Sequence, residues 1–326
     1  MRIAATRSRH LAPLLSFRSA PQTTGLASPS TFLTASYDGT LRLLDWESLY
    51  SSVVAATEDD DAIITAADCK DGHTVFYSDS LGGVSRLDLR EKPAASAAAS
   101  AAAPSPAPSA RTRRAAASAA ASADAAPATA AAAAAPRLPS THTWPLHDRK
   151  IAQVEVHPLE HHLLVTASLD RTVRLWDLRG TRRVAIAELP HDLAVTGATF
   201  SPGTGASLLT TSYDNHIRVF TTADVQTGNR VKPAVSIRHN NQTGRWVTSF
   251  RATWLPWSDE PAFVVGNMGR QLDVFSAVDG RPLAALASSM LGTIPAVTVA
   301  HPTEPVIAGG VASGRCYLFR AAAPAL

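Results

Sequence analysis

The sequence predicts an all-β chain built from repeated four-stranded units, and three observations support this fold class. A Ser-x-Asp turn followed by an alternating apolar strand occurs at 36–45, 168–177 and 212–220. These copies fall on a spacing of about 44 residues, the length of one propeller blade. The copy at 168–177 also ends in the dipeptide Trp176-Asp177. Together they predict a WD-repeat β-propeller.

Weaker copies of the same pattern complete the repeat. They lie at 79–88, 267–276 and 311–320, so six repeats are visible. A propeller has to close, because an open ring leaves sheet edges and blade faces bare. The chain could form a six-bladed ring. The competing interpretation is a seven-bladed ring of which six blades are visible.

The distance between successive copies is irregular at two places, and each of these intervals is called a step here. The first irregular step contains a segment rich in Ala, Ser and Pro. The tract at 93–140 has almost no large apolar side chains and several prolines, so it cannot form a packed core. Without it the step returns to one blade length. We expect a disordered insertion in the loop between two blades. The predicted organisation is two blades in 1–92, the insertion in 93–140 and four blades in 141–326.

The second irregular step contains a basic segment at 228–251. It carries five Arg or Lys residues, and no acidic residue occurs from Val225 to Ser258. A turn-prone tip at 240–244 is followed by Trp246. The pattern indicates a basic hairpin insertion, and such a hairpin can neutralise phosphates, pair with base edges and press an aromatic ring into a duplex.

The residues expected to contact DNA come from this segment and from the next repeat. The alternative is that the aromatic residues are core strand positions and the arginines only aid solubility; the sequence leaves both open. The candidates are Arg230, Lys232, Arg238, His239, Asn240, Asn241, Gln242, Arg245, Trp246, Arg251 and Arg270.

A Ser, His and Asp set looks catalytic but repeats with the blades. The His-to-Ser spacing is 21 in both copies. A catalytic triad occurs once, whereas a structural device recurs with the fold, where such groups satisfy one another's hydrogen bonds. We therefore assign structural roles to His147, Ser168, Asp170, His191, Ser212 and Asp214.

The sequence contains no pattern typical of a metal site, a phosphate-binding loop or a membrane span. No His/Cys cluster has zinc spacing, and no glycine-rich phosphate loop with a lysine occurs. No run of 18 strongly apolar residues is present, so we expect no membrane span. We predict a binding protein that is not an enzyme, with no metal, no cofactor and no small-molecule substrate. The net charge of +3 is too small to prove a nucleic-acid partner.

A second surface feature lies at the end of two repeats. Trp176, Asp177 and Arg179 form a Trp-Asp-x-Arg pattern, and Asp88 and Arg90 repeat its Asp-x-Arg element in the preceding blade. The blade does not require this arginine, and a carboxylate-bearing partner could take it bidentately. The pattern resembles the box of WD-repeat substrate receptors that dock on the damage-binding adaptor of cullin-4 ubiquitin ligases. The alternative is an ordinary surface arginine.

The basic segment also resembles that of a known family. The stretches 237–246 and 250–254, together with 34–39, 166–179 and 208–219, look like the fungal DNA damage-binding WD-repeat proteins of the changed-mutation-rate type. Animal WD repeat-containing protein 76 belongs with them, and the small subunit of the UV-damage DNA-binding complex is a distant relative. The resemblance covers the chain outside its Ala-rich tract.

This resemblance implies a seven-bladed nuclear propeller that binds duplex DNA, preferentially damaged DNA, and takes part in genome maintenance and ubiquitin-linked turnover. The alternatives are a cullin-4 substrate receptor without direct DNA contact and a histone-binding scaffold. The chain lacks the distant relative's Phe-Gln-His wedge. Family members carry an N-terminal extension and one further blade, so we expect a truncated start and a gap between edge strands near 10–35 and 315–320.

Overall fold

The computed structural model describes the chain as six β-sheets that follow one another around a ring, and the fold is a β-propeller. The described residues are 14–19 (backbone only), 31–45, 47–57, 62–69, 71–91, 142–180, 184–228, 231–244 and 247–320.

Each of the first three sheets has four antiparallel strands. Blade 1 contains β1 (Leu14–Ser19), β2 (Thr31–Ser36), β3 (Thr40–Asp45) and β4 (Tyr50–Ala56). Blade 2 contains β5 (Ile64–Cys69), β6 (Thr74–Asp79), β7 (Gly83–Asp88) and β8 (His142–Pro145). Blade 3 contains β9 (Ile151–Val156), β10 (Leu163–Ser168), β11 (Thr172–Asp177) and β12 (Ala185–Pro190).

The last three sheets continue the order, and blade 6 has three strands among the described residues. Blade 4 contains β13 (Val195–Phe200), β14 (Ser207–Ser212), β15 (His216–Thr221), a short helix α1 (Thr222–Gln226) and β16 (Val235–Arg238). Blade 5 contains β17 (Thr253–Trp254), β18 (Ala262–Asn267), β19 (Gln271–Ser276) and β20 (Pro282–Ala287). Blade 6 contains β21 (Pro295–Ala300), β22 (Val306–Val311) and β23 (Cys316–Arg320).

The core lies between neighbouring sheets. Alternating apolar residues on the middle strands of one blade pack on those of the next, as period-two patterning requires. Leu209 and Ile217 of blade 4, for example, share a buried cluster with Phe263 and Val265 of blade 5. This packing confirms the predicted all-β propeller fold.

One backbone position marks every repeat. The fourth residue of each Ser-x-Asp-type turn has a positive φ, between 63° and 97° in the six blades. Glycine takes this left-handed conformation at little cost, and three blades use it. The exceptions are Arg171, Asn215 and Arg270, with φ of 74°, 63° and 63°. Two turns therefore keep an arginine where glycine would be less strained.

The structure corrects the predicted place of the Ala-rich segment. Strand β8 pairs with β7, Val84 lying opposite Trp144, so β8 is the outer strand of blade 2. The segment between them therefore lies inside blade 2, and the boundary predicted at residue 141 does not separate blades. The four-residue β8, His-Thr-Trp-Pro, is too short for its alternation to be recognised in the sequence. The conformation expected for 93–140 lies outside the described residues.

The structure also corrects the predicted hairpin at 228–251. Residues Val235–Arg238 form β16, the outer strand of blade 4, with Ile237 opposite Ile217 of β15. The basic segment is therefore divided by a strand that runs from one end of the propeller to the other. Lys232 lies before this strand and Asn240 after it, so the two residues are at opposite ends.

Blade 6 exposes one of its two sheet faces. Ile307 and Phe319 pack towards blade 5, whereas Val297, Val299 and Leu318 on the other face are 53%, 57% and 72% exposed. The gap expected beside 315–320 stays a prediction, because residues 1–13, 20–30 and 321–326 lie outside the described ranges. Within the described ranges, no helix has the length and apolar character needed to cross a membrane.

Candidate nucleic-acid interface

The two ends of the propeller are built from different connections. One end, which we name the loop face, holds the turns between the second and third strands and the connections between blades. These meet directly: His191 N–H donates to the Arg171 carbonyl at 2.9 Å, and His239 N–H donates to the Asn215 carbonyl at 3.0 Å. The opposite end, which we name the fork face, holds the ends of the third strands.

A buried hydrogen-bond network supports the loop face in blade 3. His147 Nδ1 lies 2.7 Å from a carboxylate oxygen of Asp170, and Nε2 lies 2.6 Å from the Thr166 hydroxyl. The indole N–H of Trp176 donates to that same hydroxyl at 2.8 Å. Burial would raise the pKa of Asp170, but hydrogen bonds from His147 and Thr172 hold it well below its ordinary value.

Blade 4 repeats this network in a reduced form. His191 Nε2 lies 3.1 Å from the Thr210 hydroxyl, and Nδ1 lies 3.0 Å from the Leu189 carbonyl. The carboxylate of Asp214 instead binds Arg218 at 2.7 Å. Burial, followed by the charge of Arg218, lowers the pKa of His191 to about 4.

These networks make the Ser, His and Asp set part of the scaffold. The serines, however, do not bond the histidines. Ser168 Oγ donates to the backbone carbonyls of Arg149 and Lys150, and Ser212 Oγ donates to Leu193 and Ala194. The hydroxyl beside each histidine belongs instead to a threonine that the sequence reasoning missed. Both threonines stand two residues before the serine, and that spacing could have revealed Thr166 and Thr210.

The predicted DNA-contacting segment is described at 239–244 and 247–252, where it forms loop structure on the loop face; we name these residues the loop 239–252. The Asn241 side-chain amide donates to the Ser212 carbonyl at 2.8 Å, and its backbone N–H donates to Asn215 Oδ1 at 3.0 Å. Gln242 Nε2 donates to the Tyr213 carbonyl. The loop is thereby fixed on the turn of blade 4.

Buried members of this loop hold it in place. His239 and Asn241 are 6% and 1% exposed and bond each other at 2.7 Å. Phe250 is fully buried, and its carbonyl accepts a 2.7 Å hydrogen bond from Thr196. The candidates His239 and Asn241 therefore position the loop, while Asn240 and Gln242 are exposed.

Exposed cations surround this loop. Arg238 ends β16 and Arg270 occupies a strained turn of blade 5; Arg149 and Arg171 come from blade 3. Among the residues that the structure describes, no carboxylate lies within 4.0 Å of these four guanidinium groups. Asp148 and Asp192 are exposed acids on the same face. Because the cations are not neutralised by close partners, an anionic ligand can reach them.

The remaining candidates are distributed differently. Lys232 is exposed on the fork face, away from the loop. Arg251 is partly buried and donates to the Ala152 carbonyl at 2.8 Å. Arg230, Arg245 and Trp246 lie outside the described residues.

The fork face carries two matching arginine–aspartate pairs. Arg90 lies 2.6 Å from Asp88 and Arg179 lies 2.6 Å from Asp177, and the two arginine side chains are 64% and 68% exposed. Hydrogen bonds from Arg179 lower the pKa of Asp177 to about 2. Trp176, by contrast, is buried in the blade 3 network. Within the described stretches of the chain, no group of three His, Cys, Asp or Glu side chains could hold a metal ion.

Comparison with known proteins gives consistent matches. The family model described as "WD domain, G-beta repeat" matches residues 139–177. The chain is 32% identical over 304 residues to DNA damage-binding protein CMR1 of Chaetomium globosum, covering 87% of this chain and 49% of that protein. It is 32% identical over 312 residues to the protein of that name in Aspergillus terreus, covering 90% and 50%.

A third relative, from Neurospora crassa, has the same name and is 31% identical over 306 residues, covering 87% of this chain and 50% of that protein. The chain spans about half the length of the curated relatives it matches. The WD domain match, the six-bladed ring and these relatives agree on one assignment. The chain is a WD-repeat β-propeller whose sequence fits the WD-repeat DNA damage-binding family.

Proposed function

We propose that this chain binds duplex DNA through its loop face, prefers damaged DNA, and acts in the DNA damage response in the nucleus. The observation that carries this proposal is the group of exposed arginines without close carboxylate partners around the anchored loop 239–252. The relatives' name, DNA damage-binding protein, supports the same function.

The loop face has groups for both kinds of DNA contact. Arg149, Arg171, Arg238 and Arg270 can neutralise phosphates on a duplex laid across this end. Asn240 exposes an amide beside them, which can pair with base edges where stacking is disturbed. A lesion that weakens stacking lowers the cost of exposing those edges, and this is the physical basis for a preference for damaged duplex.

The test is a fluorescence anisotropy titration of the full chain with matched intact and UV-damaged duplexes at two salt concentrations. We expect tighter binding to the damaged duplex. The double variant Arg238→Gln/Arg270→Gln should lower affinity roughly tenfold and reduce the salt slope by about 1.8, because each lost phosphate contact removes about 0.9.

The fork face provides the matched control for this experiment. Arg90→Gln/Arg179→Gln removes the same charge from the opposite end and should leave DNA affinity within a factor of about two. Equal losses in the two double variants would show that binding follows net charge and not the loop face. No binding to either duplex at low salt would refute the proposed function.

A second candidate function, docking on the adaptor of a cullin-4 ligase, is favoured by the two pairs on the fork face. Each aspartate fixes its arginine at 2.6 Å in the same geometry on adjacent blades, so two exposed guanidinium groups are pre-organised for carboxylates. Arg179→Ala should abolish co-purification with the adaptor and shift unfolding by less than about 0.5 kcal/mol. Retained co-purification of this folded variant would refute the candidate.

A further inference from the structure

The turn between the second and third strands divides the six blades into two groups. Its fourth residue has a left-handed backbone in every blade. In blades 1, 2 and 6 this residue is a glycine, whereas in the consecutive blades 3, 4 and 5 it is Arg171, Asn215 and Arg270. All six turns lie on the loop face. One half of that face therefore carries a side chain at this position and the other half does not.

Packing requires the glycine in two of the three glycine-containing turns. A Cβ at Gly39 would lie 2.5 Å from the Thr57 hydroxyl, and a Cβ at Gly82 would collide with the carbonyl of His147. Gly314 of blade 6 is different, because no described atom lies within 4 Å of the position of its Cβ. Since Gly314 is glycine all the same, an uncrowded turn does not by itself call for an arginine.

The blade 4 turn uses its side chain within the fold. Asn215 Oδ1 accepts the backbone N–H of Asn241 at 3.0 Å and so anchors the loop 239–252. Asparagine also tolerates the left-handed conformation better than most residues that have a Cβ. The presence of Asn215 is therefore explained by the folded chain itself.

The two arginines have no such explanation inside the chain. Both side chains are exposed, and no hydrogen bond or ion pair joins either guanidinium group to another residue that the structure describes. With φ of 74° at Arg171 and 63° at Arg270, both carry a backbone strain that glycine would avoid. Strain of this kind persists where a side chain serves a function. We therefore look for the partner of these arginines in a ligand.

The two arginines lie on either side of the loop 239–252. Blades 3 and 4 share one buried apolar cluster, and blades 4 and 5 share another, so the turns of Arg171 and Arg270 flank the turn of blade 4. That turn holds the loop. A duplex placed over the loop therefore meets one arginine on each side, and each guanidinium group can contact a backbone phosphate.

The charge of the connections differs between the two halves in the same sense. Thr57 N–H donates to the Gly39 carbonyl and the Thr57 hydroxyl donates to the Ala62 carbonyl, both at 2.9 Å, so this connection between blades 1 and 2 starts and ends on the loop face. The four residues at 58–61 of the sequence are all acidic, whereas 239–252 contains no acidic residue. Acidic residues repel a polyanion, which favours a duplex over blades 3 to 5.

We propose that Arg171 and Arg270 form a two-point phosphate clamp, and that the DNA footprint is the half of the loop face formed by blades 3 to 5. The clamp rests on the proposed function for its ligand and deepens that function. It names the half of the face that holds the duplex, and it assigns the two strained arginines to the ligand and not to the fold.

The first arm of the test measures duplex binding by the full chain and its salt dependence. Arg171→Gly/Arg270→Gly should lower affinity roughly tenfold and reduce the salt slope by about 1.8, since two phosphate contacts are lost. Arg171→Ala/Arg270→Ala removes the same two charges and should have the same effect on binding.

The second arm measures thermal unfolding of these variants without DNA. The alanine variant keeps both Cβ atoms in the left-handed conformation, so its melting temperature should stay within about 1 °C of the parent. The glycine variant releases the strain and should melt about 3 °C higher. A gain in stability together with a loss of affinity is the result expected for arginines that serve the ligand.

Gly314→Arg is the matched control, because it places the same side chain at the same turn position outside the footprint. The blade 6 turn has room for this side chain. Affinity should stay within about twofold of the parent, and the melting temperature should fall by about 2 °C from the added strain. A roughly tenfold gain in affinity would show that charge anywhere on the loop face is sufficient, and it would overturn the footprint.

The remaining outcomes separate the clamp from the proposed function. If duplex binds both double variants as tightly as the parent, the clamp is wrong and the proposed function stands. If the glycine variant melts below the parent, the arginines stabilise the fold, and the clamp is again overturned. If the parent binds no duplex, the proposed function fails, and inorganic polyphosphate becomes the probe. Polyphosphate binding that both double variants lose supports the clamp, whereas equal binding or no binding overturns it.

Discussion

Blades 3 and 4 share one repeat frame but use it differently. In blade 3, the Thr166 hydroxyl connects His147 to Trp176, and Asp170 binds the other side of the imidazole. In blade 4, Phe220 replaces the tryptophan, which leaves the Thr210 hydroxyl without an indole donor, and Asp214 binds Arg218 instead of the histidine.

The difference shows how a structural repeat acquires a second role. The turn of blade 4 receives the loop 239–252, since Asn215 and the carbonyls of Ser212 and Tyr213 bind its side chains and backbone. In blade 3 the complete network serves the blade itself. In blade 4 the reduced network leaves the buried His191 without a bonded carboxylate. The turn of this blade supports the candidate DNA-binding loop.

The largest expected difference in stability between blades 3 and 4 comes from substitution of the two threonines. Both Thr166 and Thr210 are fully buried at the same position of their blades. Thr166→Val leaves two buried groups, the imidazole and the indole N–H, without a partner, so we expect it to cost about 3 kcal/mol of unfolding free energy. Thr210→Val strands one imidazole nitrogen and should cost about 1.5 kcal/mol. Urea unfolding measures both.

Valine is close in shape to threonine, so the matched pair isolates the hydrogen bonds from packing. The double variant Thr166→Val/Trp176→Phe supplies the check, because the indole donor is then absent. It should cost less than the sum of the two single changes. Equal costs for the two threonine variants would show that the blade 3 network has no extra stability over blade 4.

A smaller effect sharpens the comparison through pH. The pKa of His191 is lowered to about 4 in the folded chain, while the ordinary value is 6.5. Between these values the unfolded chain binds a proton that the folded chain does not, so stability falls as pH decreases. From pH 7 to pH 5 this histidine should remove about 2 kcal/mol of unfolding free energy.

The control for this prediction is His191→Gln, which cannot take up a proton. Urea unfolding at pH 7 and pH 5 should show a loss smaller by about 2 kcal/mol in the variant than in the parent. A variant that loses as much stability as the parent would place the acid sensitivity elsewhere in the chain.

The repeat frame was predictable because it rests on local chemistry. The turn at 168–172 and the apolar alternation of β11 are encoded within one stretch of chain, and the copies at a fixed spacing reveal the blades. Strands β8 and β16 were not predictable in the same way. Each is four residues long, and its pairing with a neighbouring strand, not its own pattern, defines it.

The candidate site was predictable in composition but not in arrangement. The basic character of 228–251 and the role of its polar tip could be read from residue types. The division of the segment between two ends of the propeller could not, since it depends on β16. The contact between Lys150 and Tyr37 was not predictable, because the two residues belong to different blades and meet only in the folded propeller.

The position of β8 has a consequence for chain cleavage. Three strands of blade 2 precede the segment at 92–141 and the fourth follows it, so the two halves of the chain are joined within one sheet. A protease cut within that segment would leave two fragments whose hydrogen bonds between β7 and β8 remain intact. Such fragments contain complementary strand edges and can reassemble by strand addition. The segment is thus a natural place to split the protein for a complementation reporter.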